Sequence, residues 1–356
     1  MYKFCALNLQ KFIYKAIILF TRLFASLFFL LIAMQLPAQA KRFSFTREKM
    51  GSPFTIILYA NDSTQAVMVT DKCFKLVDSL VFIFSDYIDS SELNRLCARA
   101  GNPSLPMKLS VPLFDILLVS KNAFEKSGGT FDITLGPVTK LWRKARKENK
   151  FPSPEIVKEK LALTGFNKLQ LDTIAHTAYL IQQGMQLDLG GIAQGHIAQQ
   201  VINLLKNNSI ANALVDVSGD IAAIGTPPGK SGWTVGVNVP DDKEEILKKP
   251  ISVFNKSVTT SGDLYQFIYH NGKKYSHIVH PKTGYGITSQ RNVTVIANDG
   301  TTADWLTKAC SLLPVRQAKK LATSLNAALL IIEMKKGKPV LHATKNFSTY
   351  WKSSPQ

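Results

Sequence analysis

Leu187-Asp188-Leu189-Gly190-Gly191-Ile192-Ala193-Gln194-Gly195 reads as a strand that passes through two glycines directly into a helix. The helix continues over 192–205, where Ile197, Val201, Leu204 and Leu205 recur at helical spacing. Short β-rich runs lie on both sides, at 54–59, 168–171, 178–182, 185–189, 213–217, 233–239, 252–258, 292–297 and 328–333. Amphipathic helices are predicted over about 63–84, over 111–126 with Leu113, Ile116, Leu117 and Ala123 on one face, and over 302–313. Strands outnumber helices, and turns such as Asn271-Gly272 join them as hairpins. The pattern therefore predicts an α+β fold with a mixed, largely antiparallel sheet and packed helices, not a doubly wound parallel sheet.

Composition narrows the class. The chain has 356 residues, 46% hydrophobic and 19% charged, which excludes disorder and coiled coil. Its net charge is +18, with 43 Lys and Arg against 25 Asp and Glu. Such an excess suits anionic ligands or an anionic membrane surface, but no nucleic-acid module accompanies it. Lys3, Lys11, Lys15 and Arg22 lie in a first stretch of forty residues without an acid, and the apolar run 23–36 precedes Pro37-Ala38-Gln39-Ala40. This is the pattern of a secretory signal segment over 1–40, with cleavage expected after Ala40 and one domain over 41–356. An uncleaved anchor over 16–34 is the alternative, and either one predicts export to the periplasm, with inner-membrane attachment if the segment stays. Cys73, Cys97 and Cys310 are an odd, widely spaced set, so free buried thiols are expected.

Four clusters carry chemistry. The Gly190-Gly191 turn lets a ligand approach the backbone, and a helix start suits phosphate, although the spacing is neither a Rossmann fingerprint nor a P-loop. In Gly128-Gly129-Thr130-Phe131-Asp132-Ile133-Thr134-Leu135-Gly136-Pro137, Asp132 either caps a turn or binds a ligand. Thr259-Thr260-Ser261-Gly262-Asp263, followed by Tyr275-Ser276-His277-Ile278-Val279-His280-Pro281-Lys282-Thr283-Gly284, gathers hydroxyls and a histidine on turns. His277 and His280 flank a turn too irregular for a helical zinc pair. Asp304, in Thr301-Thr302-Ala303-Asp304-Trp305-Leu306-Thr307-Lys308, falls in a helix's first turn, where a carboxylate is favoured by the dipole alone. The basic run 140–150 is expected to be a solvated helix end and loop.

In this order, these segments, with Met50-Gly51-Ser52, Tyr87 and Ser91-Glu92-Leu93-Asn94-Arg95-Leu96, resemble the ApbE family of flavin transferases. The resemblance implies an ApbE-like, T-fold-like domain that uses FAD as substrate and Mg²⁺ to attach FMN to a threonine of an exported or membrane-bound redox protein, releasing AMP. It implies that Met50, Tyr87, Thr130, Phe131, Asp132, Asp188, Gln194 and Ile278 line the FAD site, and that His277 is the base for the acceptor hydroxyl. For the metal it implies the Gly191 carbonyl and Asp304. The family's usual threonine four residues after that aspartate is Lys308 here, which makes the adjacent Thr307 the expected hydroxyl ligand. His280 and Gln194 also depart from the family's usual residues. A non-catalytic FAD-binding protein and a Mg²⁺-dependent FAD hydrolase giving FMN and AMP are the alternatives that these departures leave.

Overall fold

In the computed structural model the chain divides into two units, residues 1–41 and 42–356. The structure describes residues 14–15, 17–22, 24, 40–102, 106–237, 250–262, 266–289, 291–335 and 338–351. The expected cleavage motif, apart from Ala40, and Asp263 lie outside the described residues. No helix among the described residues is long and apolar enough to cross a membrane.

The second unit is organised by an eight-stranded sheet whose spatial order follows the chain: β1 (Lys41–Lys49), β2 (Ser52–Ala60), β3 (Ala213–Val217), β4 (Asp220–Ile224), β5 (Ser257–Gly262), β6 (Arg291–Ala297), β7 (Ala328–Lys335) and β8 (Lys338–Ala343). Every pairing from β2 to β8 is antiparallel. Alternation sets the two faces: Ile56, Val215, Val295 and Ile331 enter one core, while Leu214, Ile296 and Leu330 enter the other. Each such side chain contributes about 1.5–3 kcal/mol by leaving water.

The first face is covered by α1 (Ser63–Phe84), α4 (Ala193–Asn207) and α5 (Gly300–Leu312). Between α1 and α4 the chain forms α2 (Val111–Lys126) and α3 (Gly136–Glu148). Asp62 caps α1 by accepting from the Gln65 N–H at 2.8 Å, which fixes where that amphipathic run begins. Behind α3 a separate aromatic cluster builds around Trp142, whose Nε1–H donates to the Gly284 carbonyl at 2.7 Å.

Some sequence expectations change. Residues 185–189 join no sheet: the N–H groups of Leu187 and Asp188 go to Cys97 Sγ and the Ile133 carbonyl. The run 252–258 is two strands, broken at Phe254-Asn255, where Asn255 takes a left-handed φ of 48°. Of the strand predicted over 233–239, the described residues form one over Trp233–Val235, and 238–239 lie outside them. The basic run 140–150 is mostly α3, and part of it turns inward. Cys73 and Cys310 are buried, Cys97 is half-buried, and all three are free; burial pushes the first two thiols up to about 12 and Cys97 up to about 11.

Candidate functional site

The site begins where α4 and α5 touch. A Cβ on Gly195 would lie 2.2 Å from the Gly300 carbonyl oxygen, so the two backbones meet with no side chain between them. That approach brings Asp304, on α5 and fully buried, to the N-terminus of α4, where its Oδ2 accepts from the Gly195 N–H at 3.0 Å. The carboxylate satisfies one of the helix's unpaired donors and sits at the positive end of its dipole.

The other carboxylate oxygen is taken by Lys308, whose Nζ lies 2.6 Å from Asp304 Oδ1. Burial alone would lower the pKa of that ammonium, but the carboxylates of Asp304 and Asp220 raise it above its ordinary value. The lysine stem runs beside the glycine turn: a Cβ on Gly191 would meet Lys308 Cγ and Phe131 Cε2, each at 3.3 Å. Asp220 opens β4 after a two-residue hairpin, Ser218-Gly219, with left-handed φ values of 52° and 99°. Burial and then the Asp304 charge push its carboxyl well above the ordinary range, against the pull of Lys308.

A second charge cluster faces the same turn from α3. Arg143 Nη2 bridges Asp86 Oδ2 at 2.6 Å and Asp188 Oδ2 at 2.7 Å, and its guanidinium lies 4.4 Å from the centroid of the Tyr87 ring. Burial disfavours the Arg143 charge, but these partners outweigh it and raise its pKa. Burial and then Asp188 push the Asp86 carboxyl up, against Arg143. Arg146, one turn on, carries no ion pair among the described residues, and burial followed by the Arg143 charge lowers its pKa. Tyr87 itself is 75% exposed, leaving most of the ring open to solvent.

His277 completes the arrangement. Its Nδ1 lies 3.3 Å from the Gln266 carbonyl, which can only accept, so Nδ1 is assigned the proton and Nε2 keeps its lone pair. Burial and the charges of Lys308 and Arg146 lower its pKa to about 4. His280 is different: its Nδ1 accepts from the Lys282 N–H at 3.1 Å, which ties the ring to its own turn.

The expected ligand-lining residues fall into two groups. Asp188, Gly191, Phe131 and Asp304 converge around the glycine turn, linked by the contacts above, and the charges of Lys308 and Asp188 act on His277. Gln194, half-buried, stands in the first turn of α4, and buried Ile278 follows His277 with its N–H on Ser276 Oγ at 3.2 Å. The others are engaged locally. Asp132 Oδ1 accepts from both the N–H and the hydroxyl of Thr134, at 2.8 and 2.7 Å, making it the cap of a turn; burial raises its pKa against those bonds. The Thr130 hydroxyl donates to the Ser127 carbonyl at 2.8 Å. Met50 sits at the β1–β2 hairpin tip with φ 55°, packed on the main core.

The Thr307 hydroxyl is engaged within its own helix. No register shift interrupts α5, and the buried Thr307 hydroxyl donates to the Asp304 backbone carbonyl at 2.7 Å. One helical position is a turn of about 100°, which separates it from Lys308. The residues present do not fit a divalent cation. The Asp304 oxygen left by Gly195 is held by an ammonium, whose charge opposes a divalent cation on the same atom.

Asp86, Arg143, Arg146 and Asp220 were not evident as site residues from sequence. The Arg143/Arg146 spacing of three on one helix face was the available signal, hidden in a run of cations; Asp220 was hidden behind an ordinary hairpin turn.

The ApbE family model matches residues 50–331. A FAD:protein FMN transferase of Treponema pallidum (strain Nichols) is 32% identical over 291 residues, covering 78% of this chain and 80% of the relative. One from Klebsiella pneumoniae (strain 342) is 29% identical over 285 residues, covering 77% and 86%. Among solved structures, the apo flavinyl transferase ApbE of Pseudomonas stutzeri aligns with a TM-score of 0.77 at 25% identity, over 89% of this chain and 99% of the other. The flavin transferase ApbE of Vibrio cholerae gives 0.77 at 22% identity, over 87% and 99%, a likeness of fold. The match runs from the first hairpin tip to β7, enclosing every strand between them and both helices that meet at Gly195, and the chain belongs to the ApbE family.

Proposed function

We propose that the chain is an FAD:protein FMN transferase, exported from the cytoplasm, that esterifies a threonine of an exported or membrane-bound redox protein. The observation that carries this reading is the Gly190-Gly191 turn at the α4 N-terminus, with the Lys308 stem and the Phe131 ring against it, in a chain whose relatives bear that activity in their names. The threonine Oγ forms a bond to the FMN phosphorus of FAD while the bond from that phosphorus to the bridging oxygen breaks and AMP leaves. The threonine proton passes to His277 Nε2. The ammonium of Lys308, at the positive end of α4, faces the diphosphate, and Arg143 fixes Asp188 and Tyr87 at its edge. Lys308 holds the Asp304 oxygen that the implied Mg²⁺ would use.

Incubating the purified chain with FAD and a threonine-bearing acceptor protein should give a fluorescent flavin band that survives denaturation, with AMP in equal amount. Bound FAD without AMP would leave the non-catalytic reading that Lys308 favours, and free FMN with AMP would indicate hydrolysis. Export is supported by the basic, then apolar, then Pro37-Ala38-Gln39-Ala40 pattern. N-terminal sequencing of the protein from a periplasmic fraction should begin at Lys41; recovery from the cytosol would reject it.

Tyr87→Ala separates binding from folding. The ring is mostly exposed and holds one cation–π contact, so the variant should lose less than about 1 kcal/mol of unfolding free energy. Its Kd for FAD, read by fluorescence titration, should rise several-fold. An unchanged Kd would remove Tyr87 from the site.

A further inference from the structure

Asp304 and Lys308 form an ion pair that is hard to explain as scaffolding. A buried pair gains little stability over well-packed apolar residues, since both charges must be stripped of water. Asp304 already has the Gly195 N–H and the positive end of α4 as partners. The ammonium, paired with Asp304, adds a fixed positive charge to a side chain whose stem lies against the Gly191 turn, and the Asp220 carboxylate helps to hold that charge. A divalent cation entering beside Asp304 Oδ1 would meet that charge on the same oxygen and would be repelled. The half-buried Arg146, without an ion pair among the described residues, supplies a second cation whose charge acts on His277.

We propose that Lys308 is a built-in substitute for the metal: its ammonium stands at the cation position implied by the family resemblance and compensates the FAD diphosphate, so that FAD binding by this chain needs no divalent cation. The inference rests on the flavin-transferase reading and deepens it.

The test is a titration of the full chain with FAD, followed by flavin fluorescence, once in excess EDTA and once in millimolar MgCl₂. The wild-type chain should give the same Kd in both. Lys308→Thr should bind FAD about 10- to 100-fold more weakly in EDTA, the range of a lost charge-assisted contact, and should recover in MgCl₂. Lys308→Met should lose affinity in both media. Electron paramagnetic resonance of added Mn²⁺ should detect bound metal in Lys308→Thr and none in the wild-type chain. Wild-type binding that requires MgCl₂, or Mn²⁺ bound by the wild-type chain at stoichiometry, overturns the role given to Lys308 while leaving flavin binding intact. Lys308→Thr binding as tightly as wild type in EDTA overturns it as well. Absence of FAD binding by a folded wild-type chain in both media overturns the flavin reading itself. If the variants fail to fold, the two wild-type titrations and the Mn²⁺ measurement still decide the matter.

Discussion

Gly195→Ala should lower the free energy of unfolding by about 3 kcal/mol or more and abolish FAD binding. Two effects oppose each other at this position. Alanine is the better helix former, by about 1 kcal/mol in an exposed helix interior. Its Cβ, however, would stand 2.2 Å from the Gly300 carbonyl oxygen and 2.6 Å from Asp304 Cβ, and backbone on one side cannot move independently of its helix. Relief requires α4 and α5 to separate, which lengthens the bond from the Gly195 N–H to Asp304 and strips a buried carboxylate of its donor, worth about 1.5–3 kcal/mol for a charged partner. Overlap therefore outweighs propensity.

Gly191→Ala is the comparison. Its Cβ would press, at 3.3 Å, only on side-chain atoms of Lys308 and Phe131, which can yield by a few tenths of an ångström. It should unfold within about 1 kcal/mol of wild type while weakening FAD binding. Urea denaturation of the two variants checks both statements. Matching midpoints for Gly195→Ala and wild type would show that the helices do not meet as described.

His277→Ala should reduce FMN transfer by about 10²- to 10⁴-fold, the range of a lost general base, with the Kd for FAD changed by no more than a few-fold. Loss of both in parallel would make His277 a binding residue and not a base. The pH dependence gives a second handle. A free-chain pKa of about 4 keeps the ring neutral across the physiological range, so kcat/KM should stay flat from pH 8 to about 5 and fall with an acid limb near 4. Stability follows the same group. An unfolded histidine titrates near 6.5; between that value and 4 the unfolded chain binds a proton that the native chain does not. Acidification through this window therefore costs native stability, and His277→Ala should flatten that part of the urea-midpoint profile. An acid limb at 6 to 7 in kcat/KM would contradict the burial and the neighbouring cations described for the ring.

Lys140, Arg143 and Arg146 show why part of the site stays hidden in a linear reading. Six cations between residues 140 and 150 look like a solvated face, and charge alone does not distinguish the outward Lys144 and Lys147 from the inward Arg143. Only the packing of α3 places Arg143 between Asp86, far earlier in the chain, and Asp188, 45 positions later. The segment 185–189 failed as a strand for a related reason: alternation reports an extended, half-buried backbone, but whether its N–H groups find a strand or a loop carbonyl depends on distant chain.

What the sequence determined by itself is local: the α+β pattern, the amphipathic span Ser63–Phe84 with its Asp62 cap, the left-handed Asn271-Gly272 hairpin, and the lysine four residues after Asp304. These depend on backbone preferences and spacings of a few residues. What the tertiary structure decided is which charges share a space. Coulomb interactions depend on separation through space and on burial, so the pairing of Lys308 with Asp304, the single guanidinium between two carboxylates, and the neutrality of His277 appear only once α3, α4 and α5 and the His277 turn are packed around one glycine turn.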